Sequence, residues 1–188
     1  MKNRYVLQVV ISLLVAISVC STVFAQHDHS LNGAGHGSGH DIVNMPGLIG
    51  ENASANESAE LKLMFQKFQT ISREVENLAN GIRTVTWSTD PEVMKVLVSH
   101  ATVMIDRVER LDDPKIRIQS PTLDLFFLRG DEIASEVEVL EGRLVVLQTS
   151  TNPDLVEALH THAAEVTAMA DRGMHAVHEM MVKQGRGH

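Results

Sequence analysis

The fold class predicted is mixed α+β: two copies of a helix–hairpin–helix unit, their hairpins forming a four-stranded antiparallel sheet with helices packed on it. Three observations predict it. The chain superposes on itself at a constant offset of 62 residues, each copy carries one strong helix start, and each has β-branched runs beside turn residues. An all-α four-helix bundle is the alternative, because Ile71, Val75, Leu78, Ile82 and Val85 also fall on helical spacing, as do Ile133, Val137, Leu140, Leu144 and Leu147.

The offset needs no gap. It lays Leu61–Phe68 on Leu123–Gly130, Glu74-Val75-Glu76 on Glu136-Val137-Glu138, and Ser88–Ala101 on Ser150–Ala163. Fifteen of the 50 aligned positions between Leu61–Arg110 and Leu123–Arg172 are identical. Two repeats are too few for a solenoid, so the expectation is one domain with a pseudo-twofold axis.

Within each repeat the first element, Leu61–Thr70 in copy one, is read as helix. In the middle element Asn80-Gly81 is a hairpin turn signal, and Arg83–Thr89 is dense in β-branched residues. The last element opens with Asp90-Pro91 or Asn152-Pro153, an N-cap followed by proline at the first helical position, with Glu92 or Asp154 in the first turn. Val93, Val96, Leu97, His100, Val103, Met104 and Val108 then form one stripe, and Leu155, Leu159, His162, Val166, Met169 and Gly173 its counterpart.

The segments outside the repeats read as address and tail. Met1–Ala25 has a basic start (Lys2, Arg4), an apolar run and a small-residue site at Val23-Phe24-Ala25, the pattern of a secretory signal peptide. An uncleaved anchor and lipidation at Cys20 are the alternatives. Residues 26–60 read as a flexible His/Gly-rich tail, in which Ile42–Ile49 is apolar enough to dock. Residues 61–183 form the duplicated domain, and 184–188 a disordered end.

Cleavage after Ala25 would leave 163 residues without cysteine, hence no disulfide, no thiolate site and no c-type haem attachment. It would also deepen the formal charge from −8 to −10 by removing Lys2 and Arg4. An acidic chain with 4% aromatics argues against nucleic acid, and nothing polybasic draws it to a membrane. The location expected is periplasmic or secreted.

Arg73–Glu109 and Ala134–Val166 resemble a family of small exported bacterial proteins. In that family a Gly-[Ile/Val]-x-hydrophobic strand runs into a Ser/Thr-x-Asp-Pro helix start, with a histidine about ten residues on. Some members carry the label aspartate carbamoyltransferase, an activity that needs two α/β domains and an Arg-rich carbamoyl-phosphate loop, neither of which this chain has. What the resemblance implies is an exported location and a shared fold.

Ten histidines, nine methionines and a single cysteine direct attention to ligand binding. His100 and His162 occupy equivalent places in the two apolar stripes; paired across an axis they could bind haem or a metal, or each could be a hydrogen-bonded core residue. Asp171, His175 and His178 would share one face of a continuous last helix, a partial site for zinc, copper or nickel. The tail supplies His27, His29, His36 and His40, able to capture divalent metal reversibly. Arg107, Arg110 and Arg172 are expected to pair with Glu109, Asp112 and Glu165 along helix surfaces.

No hydrolase, nucleotide or metalloprotease motif is present, so no catalytic residue is assigned. The functional expectation is an exported, non-enzymatic binding protein for a transition metal, copper or zinc, collected by the tail. A haem-binding or redox partner protein, or a structural or interaction module with incidental histidines, is the alternative. The expected partners are the metal ion and another periplasmic protein.

Overall fold

The structure, a computed structural model, describes residues 45–185. The protein is α+β, not a helical bundle. Its elements are α1 (Ala55–Gln66), β1 (Ile71–Leu78), β2 (Gly81–Ser88), α2 (Pro91–Glu109), α3 (Pro121–Arg129), β3 (Ala134–Leu140), β4 (Arg143–Thr149), α4 (Pro153–Arg172) and α5 (Met174–Lys183). The strands form one antiparallel sheet in the order β1-β2-β4-β3, so each repeat gives a hairpin and the inner strands join them.

The join carries the symmetry. Thr84 of β2 pairs with Val146 of β4, its own counterpart at the 62-residue offset, so the pseudo-twofold axis runs through this pair. On the inner face Ile82, Thr84 and Thr86 of β2 are buried beside Leu144 and Val146 of β4. The alternation of strand side chains puts these residues on one face and Arg83 on the other.

Local chemistry repeats as well. Asp90 accepts from the Glu92 and Val93 amides to cap α2, and Asn152 accepts from the Asp154 amide to cap α4. In both copies a serine hydroxyl, Ser88 or Ser150, accepts from the amide of that capping residue at 3.1 Å. The two hairpins turn differently. The first turns at Ala79-Asn80, one residue before the expected Asn80-Gly81, because Gly81 already pairs with Leu78 in the ladder. The second turns at Glu141-Gly142, both at positive φ.

The repeats interlock. From copy two, α4 packs on β1, β2 and the 3-10 turn Phe68–Thr70 of copy one. In the reverse sense, α2 packs on β3 and on the 3-10 turn Gly130–Glu132 of copy two. The main core is consequently shared, with Ile82 and Val108 from the first repeat against Phe126, Leu155 and Leu159 from the second.

Two expected boundaries move. Residues from Met45 to Glu60 belong to the folded unit rather than to the tail. Met45 and Leu48 are buried, and the backbone of Gly47 and Ile49 accepts from the amides of Ile118 and Arg117 in the linker between repeats. The first helix starts at Ala55, ahead of Leu61, because Ser54 and Glu57 form a reciprocal capping box. The last helix is also not continuous. Gly173, at φ 56°, ends α4 before α5 begins; a Cβ there would lie 2.8 Å from the Phe68 ring.

Candidate functional site

Between the sheet and the helices lies a cavity of about 320 Å³, at the small end of the range for small-molecule sites. Its floor is the inner sheet face, with Ile82, Thr84, Thr86, Leu144, Val146 and Gln148. Its walls include Phe65 and Met64 of α1, Leu97, His100 and Met104 of α2, Phe126 of α3, and His162 and Val166 of α4. Leu48 and the linker residues Pro114, Ile116 and Ile118 line it as well, so the segment at Met45–Ile49 and the linker form its cover. The axis pair Thr84 and Val146 both line the cavity, which therefore sits on the symmetry axis of the repeat.

The histidines that the duplication singled out both reach this space. His100 and His162 line the same cavity, and the Nδ1 atom of each is buried without a hydrogen-bond partner. Burial pushes the His162 imidazole down to about 4, with the positive charge of Arg73 and the neighbouring His100 adding to the effect. Burial lowers His100 too, opposed by the carboxylates of Glu60 and Glu57. At neutral pH both rings are uncharged. Phe126 meets His162 edge to face, with ring centroids 5.3 Å apart. The Glu165 carboxylate is 3.9 Å from His162 Nδ1, too far for a hydrogen bond, and receives the Ser120 hydroxyl at 2.9 Å instead.

His160, two residues earlier on the same helix, shows what a structural histidine looks like here. Its Nε2 lies 3.1 Å from the Leu78 carbonyl and 2.9 Å from that of Gly81, so as an N–H it donates to both ends of the first hairpin turn. The same position in copy one is Val98. His160 is occupied; His162 is not.

Sequence reasoning missed Arg73. Its Nη1 donates to the Thr86 hydroxyl at 2.8 Å across the β1–β2 ladder, while its Nε is buried without a partner. No carboxylate pairs with it among the described residues. Burial draws the guanidinium down to about 10, which still leaves it charged at neutral pH. A signal was available: once Ile71–Leu78 is read as a strand, Arg73 alternates onto the face of Ile71 and Val75, away from Glu74 and Glu76.

The other candidates stand apart from the cavity. His175 and His178 lie on α5, and the break at Gly173 removes the continuous helix on which Asp171 would have joined them. His175 Nδ1 instead lies 3.1 Å from Glu179, which also pairs with Arg172. Arg107 takes Glu57 along with Asp112, and Arg110 takes Asp106 rather than the residues expected. Among the described residues no three His, Cys, Asp or Glu side chains gather as a metal-holding group. His27, His29, His36 and His40, like the segment Met1–Ala25 expected to be a signal peptide, lie outside the described residues. Among the described helices none is long and apolar enough to cross a membrane.

Compared with known protein families, with curated proteins and with solved structures, the chain matches none.

Proposed function

We propose that this is an exported binding protein which encloses a small, largely apolar ligand in the cavity on its repeat axis, with His100 and His162 as polar contacts. The observation that carries the reading is the pair of uncharged imidazoles facing one apolar cavity with Nδ1 unpartnered. A buried polar atom without a partner costs about 1–3 kcal/mol, and a ligand able to pair with it recovers that cost. Haem is the second reading, favoured by the same two rings, since neutral imidazoles are ready axial ligands. Size weighs against it, because a tetrapyrrole belongs at the large end of the range in which this cavity is at the small end. Collection of copper or zinc stays a separate proposal for His27, His29, His36 and His40, supported by composition.

The test is titration of the untagged protein with N-phenyl-1-naphthylamine, a neutral dye that brightens in apolar surroundings, alongside haem. The expected result is saturable dye binding by the wild type and its loss in Ala101→Phe, which places a ring inside the cavity. Dye binding unaffected by that ring, or a Soret band from stoichiometric haem, would overturn the first reading; the band would favour the second.

A further inference from the structure

We infer that the cavity takes an amphipathic monoanion, a medium-chain carboxylic acid or a compact aromatic one. Its carboxylate is received by Arg73 and Thr86, and its apolar body lies along the axis between the helices. The inference rests on the cavity being a ligand site and adds the chemical class of the ligand.

Arg73 carries a charge that no carboxylate of the described residues compensates. A guanidinium removed from water is normally held by a carboxylate, as Arg107 is held by Glu57 here at 2.6 and 3.1 Å. Arg73 has one neutral hydroxyl and an orphaned Nε. Thr86, having accepted from Arg73, keeps its own hydroxyl hydrogen to donate, so guanidinium and hydroxyl together offer several donors to one oxyanion. His162 lies close enough for its ring to feel the Arg73 charge, and as a neutral imidazole it can donate one further N–H. Glu165, a carboxylate of the lining, is engaged by Ser120 and Thr122 and forms no ion pair with Arg73.

The duplication sharpens the point. The cross-strand pair Arg73/Thr86 of the first repeat corresponds to Ser135/Gln148 in the second, where Gln148 donates to the Ser135 hydroxyl at 3.3 Å. The same two backbone positions therefore hold a cation in one half and a neutral pair in the other. One end of the cavity is built for a negative group and the opposite end is not. A single guanidinium matches a single negative charge, and the rest of the lining is mainly aliphatic and aromatic.

The experiment is displacement of N-phenyl-1-naphthylamine by decanoate, decanol and decylamine, at neutral pH, on the wild type and on Arg73→Met. In the wild type decanoate should displace the dye roughly ten- to a hundredfold better than decanol, with decylamine weakest. In Arg73→Met the dye should still bind and the preference for decanoate over decanol should vanish. Thr86→Val, which leaves the cation in place, should lower that preference only a few-fold. Equal displacement by decanoate and decanol in the wild type would overturn the inference while leaving the cavity reading standing. A decanoate preference that survives in Arg73→Met would do the same. Failure of the wild type to bind the dye at all would bring down both.

Discussion

Arg107 and Arg73 are both drawn away from water, one on the helix layer and one on the sheet, and they differ in what meets them. Arg107 on α2 reaches the buried Glu57 of α1 through two nitrogens, the Asp112 carboxylate and the Asn52 carbonyl. It ties the first helix, the linker and the segment before α1 into one body. Arg73 on β1 has a single hydroxyl. His160 and His162 repeat the contrast on one helix, the first spent on backbone carbonyls and the second unpartnered. The difference separates groups whose bonding is spent on the fold from groups whose bonding capacity is left open, and it can be tested by removing each.

The largest effect should come from Arg107→Met. It strands Glu57 in a buried position, and breaking such a pair typically costs about 3–5 kcal/mol. Urea unfolding would measure it. Arg73→Met should move stability little or raise it, since it removes a half-buried charge that has no counter-ion among the described residues. A loss comparable to that of Arg107→Met would erase the distinction.

The next effect is that of pH. His162 titrates near 4 when folded and near 6.5 when unfolded. Between those values the unfolded chain binds the extra proton, so stability rises with pH across that window and falls on acidification. The loss is on the order of 3 kcal/mol, and His100 adds to it in the same direction. His162→Phe should flatten the profile of melting temperature between pH 6.5 and 4. At the acid end of that window a second loss should begin. Burial works to raise the Glu57 carboxyl, but the bonds from Arg107 and Ser54 outweigh it and hold the group at about 2. Protonating it as pH falls from about 4.5 toward 2 then removes native stability.

A smaller effect separates the two histidines. His160→Ala should cost about 1–3 kcal/mol, because the carbonyls of Leu78 and Gly81 lose their shared donor. Hydrogen exchange at the first hairpin should quicken with it. His162→Ala at neutral pH should leave that exchange unchanged.

How far the sequence could be read follows the same division. The hairpins and the starts of α2 and α4 were legible because they depend on turn residues, caps and periodicity within one stretch of chain. His100 and His162 stood out because both copies keep them. Arg73 did not, since its counterpart is Ser135 and its flanking Glu74 and Glu76 suggest a solvated strand. The early start of α1 was hidden for a related reason. Glu57 and Glu60 look like tail residues until Arg107, 50 positions away, and Ser99, 39 positions away, supply partners. The break at Gly173 was obscured by helical spacing that continues on either side of it. What demands glycine at the break is its φ of 56° and the distant ring of Phe68, which leaves no room for a Cβ.

The interlocking of the two repeats has a consequence for what this cavity could ever have been. Each long helix lies on the sheet and turn of the other half, so either half alone would need a second copy of itself to cover its strands. Such a homodimer would enclose a cavity with identical ends, carrying the arginine twice or not at all. Joining the halves in one chain frees equivalent positions to differ, and Arg73 opposite Ser135 is that freedom in use. A pocket with a head and a tail is something a symmetric pair cannot make, and a fused pair can.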